Sequence, residues 1–197
     1  MRHKIANIIS VIYSLIKFSI MKLFYFKAFS FHLIERVSPN VVFTLTRDSK
    51  LKLGKRVRIH SKTRLAAVAG GELIIEDDCK FSYNALVVCR DKIHLKKGAE
   101  IGPNVLIYDH DHDFRMKGGV KSSKFRSAPV VIGENTWVCG NTVILAGSTI
   151  GKNCVIAAGS VVKGNVPDNT IFVQKKTTDL IPIKMVDSET ETDDRHE

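Results

Sequence analysis

The chain has 197 residues, 44% apolar and 25% charged, with 30 Lys and Arg against 20 Asp and Glu and a net charge of +10. That length fits one domain with a small extra element, and the composition is globular rather than disordered. The basic excess raises nucleic acid as a partner, but no DNA- or RNA-binding motif accompanies it. An anionic membrane surface or the phosphates of a ligand explain the charge better, and no nucleic acid is expected.

Residues 1–50 read as a helix and a connector. Ile5, Ile8, Ile9, Ile12, Leu15 and Ile16 fall on one broad helical face, with Asn7, Ser10, Ser14 and Lys17 on the other. This is amphipathic patterning. A membrane span needs about 20 mainly apolar residues, and Lys17, Lys22 and Lys27 interrupt the run. Arg2 and Lys4 precede an apolar stretch as in a secretory signal, yet no A-x-A cleavage site follows. The expectation is peripheral membrane contact through residues 1–34, with Lys near headgroups and Phe and Tyr in the boundary. The alternative is that the helix packs on the rest of the chain or on a neighbouring subunit. Residues 35–50 read as a connector ending in a short strand, VVFTL.

From residue 51 to 175 a different order takes over. Leu53, Ile59 and Leu65 are six apart, and Gly70-Gly71 breaks the run. Phase returns at Ile75, Phe81, Val87 and Ile93, slips by two, and continues through Leu95, Ile101 and Ile107. It is most regular at Ile132, Val138, Ile144, Ile150, Ile156 and Val162, and four residues after each comes a slimmer one: Thr136, Thr142, Ser148, Cys154, Ser160 and Val166. A period of six is neither strand alternation nor helix. It fits a coil with three flat faces per turn, a β-helix, each face turning one large residue inward and setting one slim residue near the corner.

The largest break in phase is residues 108–128, YDHDHDFRMKGGVKSSKFRSA, with His110, His112 and a Gly118-Gly119 hinge. β-helix coils accept insertions at corners, where the extra chain loops outward. A long loop carrying titratable groups in an otherwise regular coil points to function. Cys79, Cys89, Cys139 and Cys154 form no CxxC pair, and Cys79 and Cys154 sit in slim slots. They read as reduced core residues of a cytosolic protein rather than zinc ligands. Residues 176–197 close the chain with an acidic tail, DSETETDDRHE, expected to be solvated.

The run from Ile132 to Pro167 resembles the hexapeptide-repeat acyltransferases, especially the galactoside, maltose and polysaccharide O-acetyltransferase branch, and the resemblance covers roughly residues 50–175. It implies a mainly β protein: a left-handed parallel β-helix, here with an N-terminal amphipathic helix and a long extruded loop. It further implies a homotrimer that uses acetyl-CoA as acyl donor and a saccharide acceptor. Counted from Pro103-Asn104-Val105, the family's catalytic histidine falls on His112, with His110 two residues short of it and counted toward the acceptor site. The acceptor-site asparagine falls on Asn84 of FSYN and the tryptophan bordering the acyl group on Trp137. Contacts to the pantetheine arm and phosphates of the donor fall on Gly140, Ala158 and Lys163. Two departures stand out: Leu86 replaces a second asparagine, which implies an acceptor other than simple galactosides. VQKKTT replaces the usual G-x-P-A-[KR] segment, leaving Lys175 and Lys176 to supply charge for the donor's phosphates.

Transfer from a thioester to a sugar hydroxyl needs a base, and an imidazole of ordinary pKa about 6.5 suits that task. A placed general base contributes about 10²–10⁴ in rate. The expected reaction is direct O-acetylation of a surface-polysaccharide or lipid-linked oligosaccharide precursor by a cytoplasmic enzyme at the inner face of the membrane. No metal is expected. The D-H-D-H-D cluster also suggests zinc as in gamma-class carbonic anhydrases, but the family's histidine spacing is absent. A non-catalytic, membrane-tethered scaffold is the alternative of another class, and N-acetylation stays open.

Overall fold

The computed structural model describes residues 2–175, with side chains from residue 7 onward. One helix, α1 (Arg2–Phe24), precedes a coil of short strands. Among the described residues the coil strands form three parallel sheets of seven, seven and six, one per face of a triangular prism. The chain visits the first, second and third faces in turn, as in Lys92–Leu95, Glu100–Ile101 and Leu106–Tyr108. Expected residues 176–197, with Lys176, lie outside the described residues.

The hexad residues Ile132, Val138, Ile144, Ile150, Ile156 and Val162 all point inward and are buried. Stacked turns make one continuous apolar column, in which each fully buried Leu, Ile or Val contributes about 1.5–3 kcal/mol. The slim slots serve the corners. Thr136 Oγ1 donates to Gly151 O at 2.7 Å, and Ser160 Oγ donates to Ala157 O at 2.7 Å. Larger side chains there would force successive turns apart. Val166 departs from its expected slot: it pairs with Ile150 in a strand and faces the core, because the last turn is shorter than the others.

Turn length explains the irregular phase. On the first face Leu51 pairs with Leu73, 22 positions on; Leu73 pairs with Ile93, 20 on; Ile132 pairs with Ile150, 18 on. The early turns carry four-residue strands such as Lys50–Leu53, Glu72–Ile75 and Lys92–Leu95, with two inward residues each instead of one. Side chains alternate along a strand, so adding two residues keeps every side chain on its face. The slip of two between Ile93 and Leu95 is therefore a longer strand, both residues being buried, and not an outward loop. Gly70-Gly71 is an ordinary corner between Arg64–Ala67 and Glu72–Ile75.

The connector is also corrected. Phe29–Ser30, Arg36–Val37 and Val42–Leu45 pair with the turn that follows them, so residues 29–45 are the first turn of the coil and the coil boundary lies ahead of residue 51. Aromatic inward residues such as Phe29, spaced by long turns, hide this turn from a hexad count.

Helix α1 closes the open end of the coil with the side that the sequence marks as polar. Ser14 is buried, its Oγ accepting from Val37 N at 2.8 Å and donating to Ser10 O at 2.7 Å. Lys17 Nζ donates to Val41 O at 2.7 Å, and Lys22 Nζ to Phe29 O at 2.6 Å. An uncapped coil end presents unpaired backbone groups, and these side chains satisfy several of them. Phe18 fills the centre, its ring 5.2 Å from Phe29 and 5.5 Å from Phe43. Lys17 and Lys22 thus point to the coil and not to headgroups. Ile8, Ile9, Ile12, Ile16 and Ile20 are left exposed on the outer side.

Candidate active site

The insertion leaves the coil after Leu106–Tyr108 on the third face and returns at Val130–Ile132 on the first. It is a β-hairpin: His110–His112 pairs antiparallel with Phe125–Ser127, His112 opposite Phe125. Gly118 and Gly119 have φ of 94° and 57°, a left-handed bend that glycine adopts without strain.

Asp109 roots the hairpin. It is fully buried, and its carboxylate accepts from the backbone N–H groups of Arg90 (2.9 Å) and Asp91 (2.8 Å) in the preceding turn. His110 Nδ1 lies 2.9 Å from the same carboxylate, and its ring packs edge-on against Phe125. The Arg90 guanidinium stacks 3.8 Å above the Phe125 ring on the coil side. Burial, and after it the Asp109 charge, pushes the neighbouring Cys89 thiol above its ordinary pKa. Burial likewise pushes Cys79 up to about 12, so both thiols are inert core residues. His112 lies further out, exposed, with its ring 4.4 Å from Phe125. The imidazole held by a carboxylate is therefore His110, and the accessible one is His112.

Asn84, Gly140 and Ala158 share a different place, the edge between the second and third faces. Asn84, Asn104 and Asn141 stack there with φ of 59°, 56° and 57°, in the left-handed region that asparagine tolerates. Asn84 Nδ2 donates to Asn104 Oδ1 at 2.9 Å, and Asn104 Nδ2 to Asn141 Oδ1 at 3.0 Å. The corner thus accounts for Asn84 on structural grounds alone. A Cβ on Gly140 would stand 3.2 Å from Pro103, so the corner is tight at that residue. Trp137 is on the second face, 52% exposed, and paired in register with Glu100 and Val155. Lys163 follows Val161–Val162 on the third face and is exposed, and Lys175 is exposed beyond the last strand.

The expected site residues therefore sort into two groups. The hairpin histidines and Lys163 lie toward the edge between the third and first faces. Trp137, Asn84, Gly140 and Ala158 lie on the second face and its far edge. In a triangular prism the first location is opposite the second face, so one chain does not bring the groups together. Among the described residues no three His, Cys, Asp or Glu side chains converge to hold a metal ion. Sequence reading leaves Asp109, Asp111 or a backbone carbonyl to orient an imidazole, and the structure sets Asp109 against His110; what the reading missed is that the carboxylate is rooted by Arg90 and Asp91 and flanked by Phe125. The only sequence signal was the position of Asp109 at the end of a hexad strand, where a buried carboxylate requires donors from the turn before.

The described chain is thus a parallel β-helix with hexad stacking and one extruded hairpin. Residues 129–164 match the family described as bacterial transferase hexapeptide (six repeats). The chain is 26% identical over 136 residues to the putative lipopolysaccharide biosynthesis O-acetyl transferase WbbJ of Escherichia coli, covering 65% of this chain and 69% of the relative. It is 33% identical to the galactoside O-acetyltransferase of Lactococcus lactis over 57% of this chain and 53% of the relative. A putative acetyltransferase of Saccharomyces cerevisiae is 34% identical over 52% of each chain. The chain thus spans about half the length of the yeast and Lactococcus relatives. The fold is similar to that of a variant of AntD, an N-acyltransferase from Bacillus cereus, with a TM-score of 0.63 at 16% identity over 85% of this chain and 89% of that one.

Proposed function

We propose that this protein transfers an acetyl group from acetyl-CoA to a hydroxyl of a sugar in a surface-polysaccharide or lipid-linked oligosaccharide precursor. The observation that carries this reading is the hairpin, an extrusion from an otherwise regular coil that presents an accessible histidine on a buried carboxylate root. The names of the relatives supply the reaction class.

In the proposed mechanism His112 takes the proton of the acceptor hydroxyl as its oxygen attacks the thioester carbonyl. The C–S bond then breaks and the thiolate of CoA recovers the proton from the imidazolium. His112 is assigned this step because it is exposed at the outer part of the hairpin, whereas His110 is enclosed by Asp109, Tyr108 and Phe125 of its own chain. His110 is assigned to holding the hairpin and bordering the acceptor. The separation of the two residue groups supports a homotrimer in which the hairpin of one chain reaches Trp137, Asn84, Gly140 and Ala158 of the next. Lys163, Lys175 and Lys176 are proposed to hold the phosphates of the donor.

CoA release from acetyl-CoA over a panel of sugars tests the reading. Acceptor-dependent release is expected from the wild type, with a loss of about 10²–10⁴-fold in His112→Ala. Undiminished release in His112→Ala with loss in His110→Ala would move the base to the carboxylate-held imidazole. Failure of the folded protein to bind acetyl-CoA would overturn the transferase reading in favour of a scaffold.

The outer side of α1 supports a place at the inner face of the membrane. Lys17 and Lys22 are turned to the coil, and the exposed isoleucines present an apolar strip suited to a bilayer interface. The protein is expected to sediment with anionic vesicles and to lose this in Ile9→Asp/Ile16→Asp. Equal sedimentation of both proteins would sink the idea.

A further inference from the structure

The second face carries a groove of about 100 Å³ that runs from Arg58 and His60, past Ser82 and Glu100, to Trp137. We infer that this groove binds the phosphate end of the acceptor, which is a sugar carried on a diphosphate. The inference deepens the transferase reading and rests on it for the position of the sugar.

The outward residues of the second face form one column in register: Arg36, Arg58, Lys80, Glu100 and Trp137. Adjacent strands are about 4.8 Å apart, so Arg36 and Arg58 stand side by side, and like charges directly opposed destabilise a ladder. Elsewhere on the early coil, basic residues meet acidic ones one turn away. Lys52 meets Glu72 at 2.8 Å, Arg56 meets Asp78 at 2.6 Å, and Lys80 is paired with Glu100. Among the described residues no carboxylate pairs with Arg36 or Arg58. Burial and then the Arg58 charge hold Arg36 below its ordinary pKa. Burial, then Arg58, then Arg36 lower the His60 imidazole. Among the described residues, this corner of the face holds positive charge without a counter-ion.

The spacing suits one kind of ligand. Arg58 is three rungs from Trp137, ~14 Å along the face, and both residues line the groove. A sugar lying over Glu100 would set one hydroxyl beside Trp137 and its anomeric diphosphate between Arg58 and Arg36. Two guanidinium forks match phosphate oxygens in paired hydrogen bonds, which lysines do not. Glu100, already held by Lys80, accepts from sugar hydroxyls midway. Nucleoside diphosphate sugars and prenyl diphosphate sugars share this chemistry.

Binding of inorganic pyrophosphate to the full chain, in saturating CoA, is the first measurement, on the wild type and on Arg36→Gln/Arg58→Gln. The expected result is at least a tenfold weaker Kd in the double variant and no change in Lys52→Gln. Because the variant relieves repulsion, its Tm should match or exceed that of the wild type, so lost binding is not lost folding. UDP-galactose and farnesyl-diphosphate-galactose then separate the sources: whichever binds at least tenfold tighter than methyl galactoside, and loses that advantage in the double variant, names the carrier. Equal pyrophosphate binding by wild type and variant, or methyl galactoside binding as tightly as both diphosphates, would overturn the inference. Acetyl-CoA is titrated separately. If it binds while the diphosphates show no advantage, the groove assignment alone falls, and if it does not bind, the transferase reading falls.

Discussion

Ile59 and Ile156 occupy the same inward position of the second face in early and late turns, both buried. The residues just before them do not match: Arg58 in the early coil, Val155 in the late one. Outside, the early turns are laced with ion pairs such as Lys52–Glu72 and Arg56–Asp78, whereas the late turns leave Trp137, Val161 and Ile171 exposed. Stacking dictates the interior, since each turn must fill the same cross-section. The exterior is free to vary, and it varies by task. Arg36 and Arg58, unpaired among the described residues, stand on the early turns of the coil, and Trp137, Val161 and Ile171 on the late ones, where the proposed donor arm or a neighbouring chain would cover them.

The sharpest way to break this comparison is through the shared interior. Ile59→Ala and Ile156→Ala should each cost about 2–5 kcal/mol in urea denaturation. A large inequality between them would show that the two halves are not packed alike.

A smaller effect separates the capped end from the late coil. Glu35 is buried and accepts from His32 N at 2.6 Å, yet burial still raises its carboxyl to about 7. An acid whose folded pKa lies above its unfolded value of about 4.5 favours folding most when protonated. Stability should therefore be highest below pH 4.5 as far as this group is concerned, and should fall by about 3 kcal/mol as pH rises from 4.5 to 7, levelling off above that. In Glu35→Gln that slope should disappear; an unchanged pH profile would place the titration elsewhere.

The smallest effects lie on the two exteriors and differ in kind. Lys52→Ala removes an exposed pair and should cost about 0.2–1 kcal/mol with activity intact. Trp137→Ala should leave thermal stability within about 0.5 kcal/mol while acetyl transfer falls. If Lys52→Ala proved the more damaging to activity, the division of labour between the two ends would be wrong.

The six-residue period from Ile132 to Val162 was enough to determine a β-helix, its buried column, its slim corners and the place where the hairpin breaks out. Each of these depends on which way a residue points within its own strand, and short-range spacing carries that information. Other features depended on residues one turn apart, brought together across 16 to 37 positions of chain. The first turn at residues 29–45 escaped the count because its strands are recognised only by the turn they pair with. The slip at Ile93 was a longer strand for the same reason. Which histidine meets a carboxylate was decided by Arg90 and Asp91 holding Asp109 from the turn before, and Asn84 joined a ladder set by Asn104 and Asn141. The inverted seating of α1 was decided by the coil's open end, whose unpaired backbone groups drew Ser14 and Lys17 inward. Amphipathic patterning alone told the two faces apart, and the unmet hydrogen bonds beneath them chose which one to bury.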